Sequence, residues 1–275
     1  MLEKVMQLRK KAKSLRKEPK RIAVPWEKPA PFTVFLAWCV HLYTALGLVL
    51  AAAIAVLLVQ GGPDAFRWSF ALMAVATFID ATDGTLARKI RIKEVLPGFD
   101  GRKLDDITDF LTYTSLPLLL IWRAQLLPPG AEWVLVFPLL ASAYGFCQSA
   151  AKTDDGYFLG FPSLWNVVAF YLYILQTPPW VSLVVVIVLA LMTFVPSRYL
   201  YPSQPGRLNL ASNVLAVAWS GMLAWILWGL PSHNLISTTG GGAPFRAVSQ
   251  ASLVYPAFYM GASWLVSIRL WLKAR

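Results

Sequence analysis

The chain has 275 residues, of which 57% are hydrophobic and only 14% charged, with a net charge of +11 and two cysteines. A soluble domain is nearer half apolar, with about a quarter of its residues charged, so that class is excluded. A disulfide-stapled scaffold is excluded too, because Cys39 and Cys147 each lie inside an apolar segment, where they read as small core residues.

Residues 1–31 form a basic N-terminal cytoplasmic segment, with nine Lys and Arg between Lys4 and Arg21. On a soluble protein such charge points to nucleic acid. Beside a hydrophobic run, anionic lipid headgroups account for it, and no nucleic acid is expected as a partner. Leu2, Val5, Met6, Ala12 and Leu15 recur near helical spacing. The segment is therefore either an interfacial helix anchored by Trp26 or a frayed basic tail. It lacks the apolar core and cleavage site of a secretory signal.

Residues 32–275 read as one membrane domain. Their apolar residues fall in runs of about 18–25, the length that crosses a bilayer as helix. About eight spans follow, at 32–59, 66–88, 104–127, 132–151, 162–177, 180–197, 208–230 and 250–271. Glycine and proline clusters separate them. The fifth and sixth are short enough to form one hairpin that does not fully cross. With the N-terminus in the cytoplasm, 22 of the 25 Lys and Arg fall on the cytoplasmic side, leaving Arg67, Arg123 and Arg246 outside. That asymmetry predicts an all-α integral membrane bundle with both termini cytoplasmic. The longest external loop, Pro231 to Ser249, is polar and glycine-rich and reads as mobile.

Ionised residues inside membrane spans are costly, so each one raises the question of function. Five of the chain's 14 acids, Asp80, Asp83, Asp105, Asp106 and Asp109, gather at the facing ends of the second and third spans. Asp80 and Asp83 share a helix face, continued by Gly84 and Ala87. Asp105 and Asp109 share another, with Gly101 one turn earlier. A hairpin of the two helices presents four carboxylates to one point, while Asp106 points elsewhere. Four such groups cannot all stay ionised unless cations neutralise them. Oxygen-only ligation suits Mg²⁺ or Mn²⁺, and four carboxylates can bridge two divalent ions, which clamp both ends of a phosphoryl displacement. Gly84 and Ala87 leave room for something bulky, such as a nucleotide base, and Arg88 offers a fork for phosphate oxygens. The alternative is an ion-pair network of the acids with Arg88, Lys89, Arg102 and Lys103, with Gly84 and Ala87 serving only helix packing.

The pattern Asp80-x-x-Asp83-Gly84-x-x-Ala87-Arg88, then Gly101-x-x-x-Asp105-x-x-x-Asp109, resembles the motif of the CDP-alcohol phosphotransferases, with all eight positions filled. Twelve residues separate Arg88 from Gly101, a longer gap than is usual there. That gap, the stretch Pro97 to Arg102, the run Leu104 to Ile107 and the stretch Gly160 to Asn166 are similar to one branch, the bacterial phosphatidylcholine synthases. The resemblance covers about residues 38–230 and leaves the basic tail uncovered. It implies CDP-diacylglycerol as donor, choline as acceptor, and phosphatidylcholine and CMP as products, formed at a bacterial inner membrane with the site open to the cytoplasm. It implies Asp80, Asp83, Asp105 and Asp109 as ligands of the two metal ions and Asp109 as the base for the choline hydroxyl. It also implies Gly84, Ala87, Arg88 and Gly101 as the CDP seat, and a homodimer, which the sequence itself neither supports nor opposes.

Choline carries a quaternary ammonium, which aromatic faces hold. Tyr113, Tyr144, Tyr157, Phe161 and Trp165 face the cytoplasmic side in this reading, with Asp154 and Asp155 nearby; aromatics at that level also serve as an ordinary interfacial belt. His41 and His233 read as structural or surface residues. Two rivals remain. A phosphorylated or amino-acid acceptor (glycerol phosphate, inositol phosphate or serine) keeps the family chemistry, although the later cytoplasmic loops offer only Lys152, Arg198 and Arg207. A divalent-cation transporter would instead place acids near mid-membrane on several spans.

Overall fold

Pro31 stands at the first helical position, where its fixed φ suits the helix and its missing N–H costs nothing. From it α1 (Pro31–Gln60) runs 30 residues, roughly 45 Å against a bilayer core of about 30 Å. The chain turns at Gly61 and Gly62, and Pro63 opens α2 (Pro63–Ile90) in the same way. Arg88 and Lys89 sit in its last turn, where cations favour the carbonyl end. This computed structural model describes residues 29–148, 153, 156–200, 207–230 and 242–273. The basic segment with Trp26, as well as Lys152, Asp154, Asp155 and His233, lies outside the described residues.

A short helix, α3 (Ile92–Val95), leads to α4 (Gly101–Asp109). Asp100 caps α4 by accepting the Lys103 N–H at 3.3 Å, so the helix starts three residues before the span expected from hydropathy. α4 passes through a wide π-helical turn, Phe110–Ser115, into α5 (Leu116–Arg123). Pro117 explains the widening, since it has no N–H for the Tyr113 carbonyl and its ring crowds that carbonyl.

A 3₁₀ turn, Glu132–Leu135, opens α6 (Val136–Cys147); β1 (Tyr157–Leu159), α7 (Trp165–Ile174), α8 (Pro179–Met192) and β2 (Arg198–Leu200) follow. The last helices are α9 (Arg207–Gly229), α10 (Gly242–Ser252) and α11 (Val254–Lys273). Four segments, Pro31–Gln60, Pro63–Ile90, Leu208–Gly229 and Pro244–Lys273, are long and apolar enough to cross a membrane, and shorter apolar helices lie between them. Only 28% of the central window of α1 is buried. Phe35, Leu42, Val49 and Val56 stand on its outer face, which suits lipid and not water. The protein is a multi-pass membrane protein built almost entirely of helix.

Three expectations change. The all-α reading misses a two-stranded antiparallel ribbon that pairs Tyr157 with Leu200 and Leu159 with Arg198. The outer edge of β2 is satisfied by a helix: Ser267 Oγ accepts the Arg198 N–H at 2.7 Å, Ser263 Oγ accepts the Leu200 N–H at 3.1 Å, and Tyr259 donates to the Leu200 carbonyl at 3.0 Å. Residues 242–249, expected in a loop, are helical, because Phe245 packs against Trp225 and supplies a buried face. Cys39 and Cys147 are exposed at helix surfaces rather than in the core, a placement that lipid tolerates.

The core joins α1 and α2 (Ile54, Leu58, Phe66, Phe70, Met73) to α5 (Leu120, Ile121), α7 (Trp165, Phe170) and α8 (Val186). Phe70 meets Phe170 edge-on at 5.3 Å and Phe66 meets Tyr173 edge-on at 5.7 Å. Polar pairs fix the later helices. Trp219 Nε1 donates to the Tyr171 hydroxyl at 2.8 Å, and Tyr171 donates to Ser252 at 2.9 Å.

Candidate active site

α2 carries Asp80 and Asp83, and α4 carries Asp105 and Asp109. Carboxylate oxygens of Asp80, Asp105 and Asp109 all lie within 4.8 Å of one another. Asp83 lines the same small cavity, together with Thr44, Gly47, Thr108 and Thr112. It is buried, and its Oδ2 accepts the Thr44 hydroxyl at 2.7 Å. The hairpin therefore brings three carboxylates within reach of one ion and holds the fourth at the edge of that cavity. Asp106 turns away: it is half-buried, with Arg102 at 4.0 Å.

The basic residues nearby reach other partners. Lys103 lies 3.8 Å from Asp100, and Arg91 lies 3.1 Å from Glu94. Arg88 donates to Thr85 Oγ1 at 3.0 Å, and its guanidinium overhangs Gly84, 3.3 Å from where a Cβ would stand. Ala87 packs against the small cluster of Ala37, Val40 and Ile92. Gly101 meets His41: a Cβ there would lie 2.5 Å from the imidazole Cε1.

The five aromatic candidates are dispersed, and Phe161 is buried edge-on against Trp165 at 5.4 Å. Tyr113, in the π turn, donates its hydroxyl to Asp80 Oδ2 at 2.7 Å. Tyr144 is exposed, 5.0 Å from the ring of Phe194, and accepts from Gln148. Tyr157 stands on β1. Trp165 is 0% exposed and donates its indole N–H to Ser142 at 2.8 Å, so its ring belongs to the core. Its neighbour Asn166 donates to Thr77 Oγ1 at 3.3 Å, tying the start of α7 to α2 one turn before Asp80.

The model of the CDP-alcohol phosphatidyltransferase family matches residues 37–232, which include every one of these carboxylates. The chain belongs to that family. It is 40% identical over 198 residues to the phosphatidylcholine synthase of Pseudomonas aeruginosa, covering 70% of this chain and 82% of that protein. It is 41% identical over 214 residues to that of Legionella pneumophila, covering 75% and 80%. It is 38% identical over 202 residues to that of Bradyrhizobium diazoefficiens, covering 73% and 74%.

As a CDP-alcohol phosphatidyltransferase the chain has a donor set that fits a hard divalent ion. The cluster offers oxygen alone, and its 4.8 Å spread compares with roughly 4 Å between opposite oxygens of octahedral Mg²⁺, whose bonds are about 2.1 Å. Arg102 and Lys103 stand beside Asp106 and Asp100, two acids outside that cluster.

Sequence reasoning missed one side of the cavity. Thr44 and Gly47 come from α1, 39 residues before Asp83 in the first case. Gly47 lets α1 and α4 pack closely, since a Cβ there would stand 2.3 Å from Thr108 Cγ2. His41 continues that face with a buried Nε2 that has no hydrogen-bond partner. The small and weakly polar residues at 41, 44 and 47 were the available signal.

Proposed function

We propose that the protein transfers the phosphatidyl group of CDP-diacylglycerol to choline, giving phosphatidylcholine and CMP. The observation that carries this reading is the meeting of Asp80, Asp105 and Asp109 within one coordination sphere, in a chain whose relatives bear the name phosphatidylcholine synthase.

Asp80, Asp83, Asp105 and Asp109 would hold two divalent ions, Mn²⁺ or Mg²⁺. When bound, such ions spread the charge of the pyrophosphate and stabilise the departing phosphate. Asp109 also takes the proton of the choline hydroxyl as its oxygen bonds to the β-phosphorus and the bond to the CMP oxygen breaks. That hydroxyl is a poor nucleophile while protonated, so the carboxylate oxygen must lie at hydrogen-bond distance. Gly84 leaves space for the CDP moiety and Arg88 swings from Thr85 onto its phosphates, while Ala87 and Gly101, the other two positions of the proposed CDP seat, are backed by α1 through Ala37, Val40 and His41. Tyr113 is the aromatic candidate that touches the acid cluster, and it joins choline's pocket in this reading. Trp165 lies in the core, Tyr144 is exposed beside Phe194, and Tyr157 stands on β1.

The site opens to the cytoplasm and the inner leaflet of a bacterial inner membrane, because CDP is water-soluble and diacylglycerol is not. Helices α7 and α8, of 10 and 14 residues, are roughly 15 and 21 Å long. Whether they count as two of eight passes or as one hairpin, the number of crossings stays even and both termini stay cytoplasmic. The basic segment, residues 1–31, adds affinity for anionic lipid.

The test is purified protein with CDP-diacylglycerol, Mn²⁺ and labelled choline, beside Asp109→Asn. Labelled phosphatidylcholine and CMP appear together with the wild type and vanish with the variant. CMP release that requires serine or glycerol phosphate instead would keep the phosphoryl chemistry and remove choline as acceptor. No CMP with any acceptor would remove the transferase reading.

A further inference from the structure

We propose that the inward face of α1 is the third wall of the carboxylate site and that Thr44 is a positioning residue for Asp83; this rests on the reading of Asp83 as a metal ligand.

A hydroxyl buried in a lipid-embedded helix ordinarily satisfies itself on the carbonyl four residues back. Thr77, Thr108 and Thr112 do so at 3.0, 2.9 and 3.0 Å, and Ser69 at 2.8 Å. Thr44 departs from the pattern. Its distance to the Val40 carbonyl is stretched to 3.4 Å, while the distance to Asp83 Oδ2 is 2.7 Å. The hydroxyl has one proton, and the short contact to the carboxylate holds it. Both residues are buried, at 8% and 6% exposure.

The consequence for Asp83 is orientational. The last torsion of an aspartate is broad, so a carboxylate without a fixed donor samples many directions. Thr44 engages Oδ2 and so restricts that torsion, and the Gly84 N–H is a second donor to the same carboxylate. The same α1 face fixes the second helix of the site. Gly47 receives Thr108, one residue before Asp109, and His41 fills the space beside Gly101. α1 thus touches α2 through Thr44 and α4 through Gly47 and His41, setting the separation of the two aspartate pairs.

The test measures Mn²⁺ binding to the purified full chain without substrates, from the paramagnetic resonance signal of free Mn²⁺. Wild type is compared with Thr44→Val, Thr44→Ala, Thr44→Ser and Asp83→Asn. Removing the hydroxyl in Val or Ala raises the Mn²⁺ Kd about 10- to 100-fold, the range for partners that orient metal ligands. Ser restores binding close to wild type. In turnover, the Mn²⁺ needed for half-maximal rate rises while the KM for choline does not. If Thr44→Val fails to fold, Thr44→Ala decides. Wild-type binding in Val and Ala, with weak binding in Asp83→Asn, would overturn the role of Thr44 and leave the metal reading standing. Weak binding in Ser equal to that in Val would also overturn it, pointing to packing. Wild-type binding in Asp83→Asn would overturn both.

Discussion

The hydroxyl of Tyr113 reaches Asp80 from the one stretch of α4–α5 that is not regular α-helix, donating to Oδ2 at 2.7 Å. The π turn forms because Pro117 cannot pair with the Tyr113 carbonyl, and widened turns of this kind cluster at functional sites. Tyr113 therefore has two separable functions in the proposed reaction. Its hydroxyl orients Asp80, and its ring presents an aromatic face. Tyr113→Phe removes only the first. Its Mn²⁺ half-saturation should rise about tenfold with little change in the KM for choline. Tyr113→Ala removes both, and the KM for choline should rise as well. Titration of each substrate at saturating levels of the other separates the two effects.

Asp106 and Asp109 are three residues apart on one helix and face different surroundings. Asp109 sits in the cluster with Asp80 and Asp105, whereas Asp106 is half-buried, with its side chain open to solvent beside Arg102. An exposed pair of this kind contributes little. Asp106→Asn should leave kcat and melting temperature near wild type. Asp109→Asn removes a proton acceptor, an effect typically of about 100- to 10,000-fold, together with a proposed metal ligand. Its kcat should fall to the upper end of that range. Equal losses from the two variants would sink the assignment of Asp109 as base.

The acid cluster was legible in the sequence because carboxylates in apolar runs are rare and the spacings three and four fix helix faces. The spans were legible because α1 has a mean hydropathy of 2.6 over its central window. That same property hid the site's third wall. Thr44 and Gly47 barely lower the average of such a helix, and nothing local ties Thr44 to a carboxylate 39 residues away. The helix of residues 242–249 was hidden for the opposite reason. It is only weakly apolar by itself and gains its helical state from packing Phe245 against Trp225. The division between α10 and α11 follows Pro256, which leaves the Ser252 carbonyl without its usual donor. The ribbon was illegible because its second edge is satisfied by hydroxyls of α11 rather than by a third strand.

Gly101 has two reasons to be glycine, and they can be pulled apart. The motif assigns it to the nucleotide, while the structure places the His41 ring where its side chain would project, with Cε1 at 2.5 Å. Gly101→Ala should therefore destabilise the fold by about 1–3 kcal/mol through overpacking. Trimming the partner, in His41→Ala/Gly101→Ala, should return the melting temperature toward that of His41→Ala alone. A KM for CDP-diacylglycerol that stays high in the double variant assigns Gly101 to the nucleotide as well, and one that recovers assigns it to packing. A double variant no more stable than Gly101→Ala would refute the contact as the cause.

Arg67 and Arg123, on the sparsely charged side of the bundle, have a structural use. Arg67 donates to the Trp228 carbonyl at 3.1 Å, near the end of α9. Arg123 donates from Nε to the Leu58 carbonyl at 2.8 Å and from Nη2 to the Val59 carbonyl at 3.1 Å, closing the last turn of α1. A cation at that end also meets the negative pole of the helix. Arg123→Met keeps an apolar stem of similar length and removes both bonds. Hydrogen bonds to a charged group are worth about 1.5–3 kcal/mol, so unfolding in detergent should occur at lower temperature while kcat/KM of the folded fraction stays at the wild-type value. The carboxylates lie beside the middle of α1, next to Thr44 and Gly47, and a fall in kcat/KM without a fall in stability would mean that Arg123 acts on the site and not on the helix end.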